Sequence, residues 1–188
     1  MLVHVANRRR KPASIAASFP DATVIDVTSR GPQPWVRLSP FYPHGGIPVP
    51  FTPGVVSSSV EGIWQALKVF DEVDVDPTKL AVTGMVGLKR TTRRFGPVRG
   101  HRAGLQGQTL LDYGTARREI YLPSYGWVLE HRAPDLIDEL RRLADGRGVV
   151  LLDYTTNGDV DDLSSPLSHA ALIALYLTGS WHAAWAGR

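Results

Sequence analysis

The chain has 188 residues, of which 43% are hydrophobic and 21% are charged, values typical of a soluble globular protein that can bury a core without disulfides or metals. It contains no cysteine, which excludes disulfides, thiolate nucleophiles and cysteine-based zinc sites. No apolar run reaches the length of a membrane span, and the N-terminus reverses the order of a signal peptide. We therefore expect a cytoplasmic protein that does not bind membranes. The net charge of +3 permits an anionic ligand such as a nucleotide without demanding a nucleic acid.

The N-terminal part of the chain predicts two short strands at residues 2–5 and 22–27, with a helix at residues 12–19 between them. Residues 30–54 then hold seven prolines and four glycines among several aromatic side chains. Prolines rule out a helix or a central strand, and the aromatic residues argue against disorder. This pattern predicts an ordered loop that packs on the core and forms the wall of a pocket.

The rest of the chain predicts mainly helices. In chain order we expect a helix at 60–70 capped by the serines at 57–59, a helix or strand at 79–86, a basic loop at 89–102, a helical stretch at 109–131 interrupted at Pro123, an amphipathic helix at 134–144, a central strand at 149–154, an acidic loop at 157–165 and an apolar helix at 166–177. There is no internal repeat, so we predict one compact α+β domain over residues 1–188, mostly helical with a small sheet.

Glu61 is the first candidate for chemistry. It follows three serines at a predicted helix start, where an acidic residue can simply complement the helix dipole. The helix is rich in apolar and aromatic residues, however, and Gln65 and Lys68 lie on the same face as Glu61. A carboxylate facing a pocket can act as an acid, a base or a nucleophile, or can stabilise a developing cation.

Residues 89–102 form a basic run that no acidic residue interrupts. The run is either a solvated loop or a phosphate clamp, because arginine forks match phosphate oxygens and glycines let the backbone approach a ligand. Its members are Lys89, Arg90, Arg93, Arg94, Arg99, His101 and Arg102.

Acidic residues form a third candidate group near the C-terminus. Asp153 ends the predicted central strand, a common position for functional carboxylates. Asp159, Asp161 and Asp162 follow in a loop, where a soluble turn is the simpler interpretation for the last two. The spacing fits no calcium loop, and we expect neither a metal nor a cofactor.

Tyr121, Tyr125 and Trp127 could stack on a base, or they could belong to the core. Common nucleotide and nucleophile motifs are absent: the sequence has no GxGxxG after a strand, no GxxxxGK[ST] and no G-x-S-x-G. Kinases, P-loop enzymes and dinucleotide-dependent dehydrogenases are therefore not expected.

Two stretches share their order and spacing with a known family: Leu-Ser-Pro-Phe at residues 38–41, and Ser59-Val60-Glu61 followed by Trp64, Gln65 and Lys68. In these residues the chain resembles the NADAR domain family, which includes riboflavin-intermediate N-glycosidases. The resemblance covers residues 37–177 in the order of elements and implies a NADAR-like fold, with residues 1–35 as an N-terminal extension without a counterpart. The family commonly has a histidine where this chain has Gly62.

The resemblance implies a hydrolase that cleaves an N-glycosidic bond at ribose C1′ of a phosphorylated nucleoside or an ADP-ribose-type substrate. Glu61 would stabilise an oxocarbenium-like transition state, and Asp153 or Asp159 would position water or act as a base. The implied substrate-binding residues are Trp64, Gln65, Lys68, Arg90, Arg93, Arg94, Tyr125 and Trp127.

Two other functions fit the same sequence. One is a non-catalytic module that binds a nucleotide or ADP-ribose on the same fold. The other is a nucleic-acid-binding protein that uses the basic run at residues 89–102.

Overall fold

The computed structural model describes residues 1–181, and over this range the chain has the predicted α+β class, with more helix than strand. The strands are β1 (Val3–Asn7), β2 (Thr23–Asp26), β3 (Ile47–Pro48), β4 (Val56–Ser57), β5 (Lys68–Phe70), β6 (Val98–Arg102), β7 (Leu110–Leu111) and β8 (Val149–Asp153). The helices are α1 (Pro12–Ser18), α2 (Val60–Leu67), α3 (Thr92–Phe95), α4 (Tyr113–Ala116), α5 (Leu122–His131), α6 (Pro134–Gly146) and α7 (His169–Leu177). Two 3₁₀ turns cover Trp35–Leu38 and Pro77–Ala81, and a π-helical turn covers Arg117–Tyr121.

Residue contacts divide the chain into two compact units. Unit 1 contains Met1–Ser39 and the chain from Ala133 onward, and unit 2 contains Pro40–Arg132. Both units combine helices with a small sheet. A single domain over residues 1–188 stays a prediction.

A parallel sheet with the strand order β1-β8-β2 forms the centre of unit 1. Val149 of β8 pairs with Val3 on one side and with Thr23 on the other. This confirms the prediction that the apolar strand near residue 150 is central. Residues 1–35 contribute β1, α1 and β2, so they supply both neighbours of β8. Because the strands are parallel, their carboxyl ends lie at one edge of the sheet.

Apolar residues on both sides of this sheet build the core of unit 1. Ala6, Ile15 and Val150 form a buried cluster, against which Phe19 and Leu152 pack. Helix α6 buries one stripe of side chains and exposes its charged residues, which confirms the predicted amphipathic helix. Its buried residues are Leu136, Ile137, Leu140 and Ala144.

Unit 2 holds an antiparallel sheet with the order β5-β6-β7 and a short hairpin of β3 with β4. Gly100 in β6 has φ +153°, and a Cβ atom there would lie 2.3 Å from the carbonyl oxygen of Leu111. The middle strand therefore requires glycine at this position for β7 to pair with it. Both neighbours of β6 lie within unit 2, as does helix α2.

The helix predicted at residues 60–70 is three residues shorter than expected. It ends at Leu67, and Lys68–Phe70 form β5, which pairs with β6. The apolar spacing continues through Phe70, but a strand partner far along the chain supplies the backbone hydrogen bonds instead. The predicted helix boundary was wrong for this reason.

The prediction of a continuous loop at residues 89–102 was also wrong. Helix α3 and strand β6 occupy most of this segment. Residues 79–86, predicted as a helix or strand, contain only the end of a 3₁₀ turn before an irregular stretch. The final helix begins at His169, three residues later than predicted, where Ser168 caps it.

The helical stretch predicted at residues 109–131 begins at Tyr113, with Asp112 as its N-cap. The sequence predicts an interruption at Pro123, but the helix continues through this residue. The helix widens instead into the π-helical turn Arg117–Tyr121 immediately before that proline. A proline lacks the backbone N–H that an α-helix needs, and a π-helical turn is one way to accommodate the change in hydrogen bonding.

Candidate functional site

Helix α2 begins with a capping arrangement that fixes Glu61 in its first turn. The hydroxyl of Ser59 accepts a hydrogen bond from the backbone N–H of Gly62 at 3.0 Å. The backbone N–H of Glu61 donates to the carbonyl oxygen of Pro40 at 2.9 Å. The start of α2 is therefore held in two ways, by the Ser59 cap and by the hydrogen bond to Pro40 of the proline-rich segment.

Gly62 lies at a close approach between α2 and the neighbouring 3₁₀ turn. A Cβ atom at this position would lie 2.8 Å from the carbonyl oxygen of Lys79 and 2.9 Å from the hydroxyl of Ser57. The 3₁₀ turn at Pro77–Ala81 packs this closely because residue 62 has no side chain. A histidine does not fit here without a shift of the backbone.

The carboxylate of Glu61 is held by one side chain. Gln65 donates from Nε2 to Oε1 of Glu61 at 2.9 Å. The amide oxygen of Gln65 is used by the backbone N–H of Arg90, also at 2.9 Å, so its amide nitrogen must face Glu61. Within residues 1–181 no group donates a hydrogen bond to Oε2 of Glu61.

Burial dominates the electrostatics of Glu61, which is only 8% exposed. Burial raises the pKa of its carboxyl group, while the hydrogen bond from Gln65 and the positive charges of Lys68 and Lys89 oppose that rise. The pKa of Lys68 is lowered, because burial disfavours its ammonium group more than Glu61 favours it. In the described part of the chain the Lys68 ammonium forms no hydrogen bond or ion pair, and it lies 6.0 Å from the ring centroid of Trp64.

Aromatic rings surround the middle of α2. The half-buried Trp64 lies 5.7 Å from Tyr121 and 6.0 Å from Tyr113, measured between ring centroids. Tyr121 ends the π-helical turn, a feature that is frequent at functional sites. Tyr125 is fully buried, and its ring stacks on that of Tyr121 with 6.1 Å between centroids, so it is part of the core.

His101 of β6 lies at this site, although the sequence marks it only as a member of the basic run and not as a residue of the Glu61 site. Its ring lies 3.8 Å from that of Trp64, and only 1% of the residue is exposed. Neither ring nitrogen has a hydrogen-bond partner among the described residues. The sequence grouped His101 with a basic loop, and strand alternation would place it on the same face as the exposed Arg99, so no local pattern marks it as buried.

The basic run of residues 89–102 does not act as one cluster. The guanidinium of Arg90 is buried and donates to the backbone carbonyls of Gln65, Lys68 and Asp74 at 3.1, 2.6 and 2.7 Å. Arg90 therefore satisfies backbone carbonyls around the end of α2. It does not present its guanidinium to solvent as the phosphate-binding group that the sequence predicts.

Two further arginines of the run form ion pairs within unit 2. Arg99 pairs with Asp71, and Arg102 pairs with Asp74 at 2.7 Å. Lys89, Arg93 and Arg94 are exposed, as is Arg99, and within residues 1–181 these first three form no ion pair.

Asp153 lies in unit 1 and has buried partners of its own. Its Oδ2 atom accepts a hydrogen bond from the hydroxyl of Ser168 at 2.8 Å and lies 2.9 Å from Nδ1 of His169. The other ring nitrogen of His169 donates to the carbonyl oxygen of Val27 at 2.8 Å. Burial alone would raise the pKa of Asp153, but His169 and Ser168 outweigh it and the pKa is lowered. These contacts make Asp153 a structural ion-pair partner, not the free base that the sequence suggests.

Asp159 and Trp127 each have local partners of their own. Asp159 is exposed in unit 1, where its carboxylate accepts the backbone N–H of Asp161 at 2.9 Å, as in an ordinary turn. Trp127 packs in parallel on His131 with 4.7 Å between ring centroids.

No group of three or more histidine, aspartate or glutamate side chains within residues 1–181 is placed to hold a metal ion. In the same range no helix is both long enough and apolar enough to cross a membrane.

The fold and the site define an α+β protein with a buried, partly unpartnered carboxylate next to two lysines and an aromatic cluster. The chain belongs to a family of unknown function, DUF6939, whose model matches residues 7–173. No curated protein and no solved structure matches it significantly.

Proposed function

We propose that this protein is an N-glycosidase that cleaves the bond between ribose C1′ and the base of a phosphorylated nucleoside or an ADP-ribose-type substrate. The observation that carries the proposal is the carboxylate of Glu61, buried and held at one oxygen by Gln65 while Oε2 accepts no hydrogen bond from residues 1–181. The resemblance of the α2 sequence to the NADAR motif supports the same residue.

The chemistry of the reaction matches what Glu61 can supply. The base leaves with the electron pair of the C1′–N bond, and positive charge develops on the sugar ring. Water then adds its oxygen to C1′ and releases one proton, which goes to the departing base where that base leaves as an anion and to solvent where the base leaves neutral, as nicotinamide does. A preorganised carboxylate beside C1′ stabilises the cationic transition state, and it does so more strongly in a water-poor site than in water.

Lys68 and Lys89 favour the ionised form of the Glu61 carboxylate. Burial favours the protonated form of Glu61, and the two lysines are the charges that favour the ionised form. Lys89 is exposed and lies 5.5 Å from the ring centroid of Phe41, near the anchored start of α2. Since Arg90 is occupied by backbone carbonyls, we assign the substrate phosphate to Lys89, with Arg93 and Arg94 as further exposed cations.

A screen for base release tests the proposal. The full-length protein is incubated with nicotinamide mononucleotide, NAD⁺, ADP-ribosylated guanosine and phosphoribosylated pyrimidines, and free base is quantified by liquid chromatography. We expect one substrate class to release base, and Glu61→Gln to lower kcat by about 100- to 1,000-fold. Glu119→Gln is the matched control, because it makes the same change at an exposed position of unit 2.

Three outcomes separate the proposal from its alternatives. Full activity in Glu61→Gln, or no release from any substrate, contradicts the glycosidase. Binding of ADP-ribose or a nucleotide without release supports a non-catalytic module. A nucleic-acid-binding protein is supported if the chain binds single-stranded nucleic acid with an affinity that falls steeply with salt and is lost when Arg93 and Arg94 are neutralised. The ion pairs of Arg99 and Arg102 leave that last function fewer cations than the sequence predicts.

A further inference from the structure

His101 occupies a position where an apolar side chain would normally lie. It stands in the middle strand of the β5-β6-β7 sheet, opposite Lys68 on β5 and opposite Leu111 on β7. Its ring is buried against Trp64, and both nitrogens lack a hydrogen-bond partner within residues 1–181. Buried polar groups of native proteins are nearly always paired, so each exception calls for an explanation.

Packing against Trp64 does not explain the choice of histidine. A phenylalanine of similar size would make the same ring contact without two unpaired nitrogens. Leaving a buried donor and a buried acceptor unsatisfied lowers the free energy of unfolding. The imidazole nitrogens therefore have another use than packing.

The imidazole of His101 is neutral near pH 7. Burial, and to a smaller extent the charge of Lys68, lowers its pKa to about 3. A neutral imidazole offers one N–H donor and one lone pair. An anionic phosphate only accepts hydrogen bonds, whereas the edge of a heteroaromatic base carries donors and acceptors together.

The position of His101 relative to Glu61 fits a base as well. Trp64 follows Glu61 by three residues, about 4.5 Å along the helix axis. The ring of His101 lies a further 3.8 Å from that of Trp64. Trp64 thus links the two residues, since it is a neighbour of Glu61 on the surface of α2 and packs on the ring of His101.

Lys68 is the movable neighbour of His101. The two residues face each other across an antiparallel pair, so their side chains share one face of the sheet. The Lys68 side chain is flexible, and within the described residues its ammonium is held by no hydrogen bond. Because His101 is only 1% exposed, a base reaches its ring only if a neighbouring side chain moves, and Lys68 is a neighbour with no hydrogen bond to break within the described residues.

We propose that His101 is a specificity-determining residue whose ring nitrogens hydrogen-bond the uncharged heteroaromatic base of the substrate, with Trp64 orienting the imidazole. The proposal rests on the function proposed above and names the part of the substrate that the β5-β6-β7 sheet recognises.

Calorimetric titration of the full-length protein tests this assignment. The probes are AMP, GMP, CMP and nicotinamide mononucleotide, with ribose 5-phosphate as the probe that lacks a base. We expect at least one nucleotide to bind more tightly than ribose 5-phosphate. We expect His101→Phe to weaken that nucleotide by about tenfold or more, since it removes up to two hydrogen bonds, and to leave ribose 5-phosphate unchanged.

The melting temperature of His101→Phe is the structural readout. It should equal or exceed that of the wild type, because the variant keeps the ring contact and removes the unpaired nitrogens. If the variant does not fold, the ¹⁵N resonances of the His101 ring in the wild-type protein decide. They should shift when the nucleotide is added and should not shift with ribose 5-phosphate.

Several results overturn the assignment: unchanged nucleotide affinity in a folded His101→Phe, a parallel loss for ribose 5-phosphate, ring resonances that do not respond, or no nucleotide binding by the wild type. Its failure differs from failure of the glycosidase. Nucleotide binding that depends on His101, without release of base, keeps the base subsite and rejects the enzyme. Release that is unchanged in His101→Phe keeps the enzyme and rejects the subsite.

Discussion

Among residues 1–181 each unit buries one acidic side chain, and the two carboxylates are held in opposite ways. Asp153 in unit 1 is in contact with His169 and Ser168, and its pKa is lowered in spite of burial. Glu61 in unit 2 accepts a single side-chain hydrogen bond, forms no ion pair within residues 1–181, and has a raised pKa. A satisfied buried charge serves the fold, whereas an incompletely satisfied one costs stability and indicates a site.

The largest loss of stability is expected when the paired carboxylate of unit 1, Asp153, is neutralised. Asp153→Asn leaves the His169 imidazolium buried without its counter-charge, which should lower the free energy of unfolding by about 3–5 kcal/mol. Urea unfolding at pH 6 measures the loss. Asp135→Asn is the control, because it removes an exposed ion pair with Arg37 and should cost at most about 1 kcal/mol. Similar losses in the two variants would show that Asp153 is not a structural partner.

The packing that presents Glu61 can be tested with one substitution at two positions. Gly62→Ala places a methyl group against the carbonyl of Lys79 and should cost about 1–3 kcal/mol. Gly146→Ala, at the end of α6, meets nothing within 4 Å and should gain about 0.5–1 kcal/mol. Thermal or urea unfolding compares them, and a loss at both positions or at neither contradicts the close approach at Gly62.

The pH dependence of stability reports on the charge of the buried His169 in unit 1. Burial disfavours the His169 cation, but Asp153 and the carbonyl of Val27 outweigh burial and raise its pKa. Its contribution is therefore complete below the unfolded pKa of about 6.5 and is lost as the pH rises through the folded pKa.

The measurement is the free energy of unfolding between pH 5 and 9 for the wild type and for His169→Gln. The difference between them should shrink with rising pH by at most about 1.4 kcal/mol per unit, the limit for one proton. A difference that grows with pH would mean that His169 is buried as a neutral group.

The smallest expected effect concerns the charge balance around Glu61. If the ionised carboxylate carries catalysis, base release falls at low pH as Glu61 takes up a proton. Lys68→Met removes a charge that favours ionisation, so the acidic limb of the rate profile should move to higher pH. Lys11→Met removes an exposed lysine from unit 1 and should leave the profile in place. A shift to lower pH would contradict the proposed role of Lys68.

Local sequence patterns predict the parts of this protein that depend on local physics. The serine cap before Glu61, the amphipathic α6 and the apolar β8 are confirmed because capping, 3.6-residue periodicity and burial leave direct marks in the sequence.

The remaining features depend on partners distant in sequence. Lys68–Phe70 is a strand only because residues 98–102 pair with it, and Arg90 is buried only because the carbonyls around the end of α2 lie within its reach. The pairing of Asp153 with His169 and Val27 likewise joins three separate segments. None of these contacts has a local signal in the sequence. The sequence therefore assigns Arg90 and Asp153 to a ligand site, whereas in the structure both have partners within the protein.

The free energy of unfolding of Glu61→Gln at pH 7 tests the contrast between the two carboxylates most directly. Glutamine keeps the shape of glutamate and can still accept the hydrogen bond from Gln65, but it does not carry a charge that burial disfavours. We expect the free energy of unfolding of Glu61→Gln to equal or exceed that of the wild type. A loss that approaches the one expected for Asp153→Asn would show that Glu61 is held for the fold, and would contradict its assignment as a functional carboxylate.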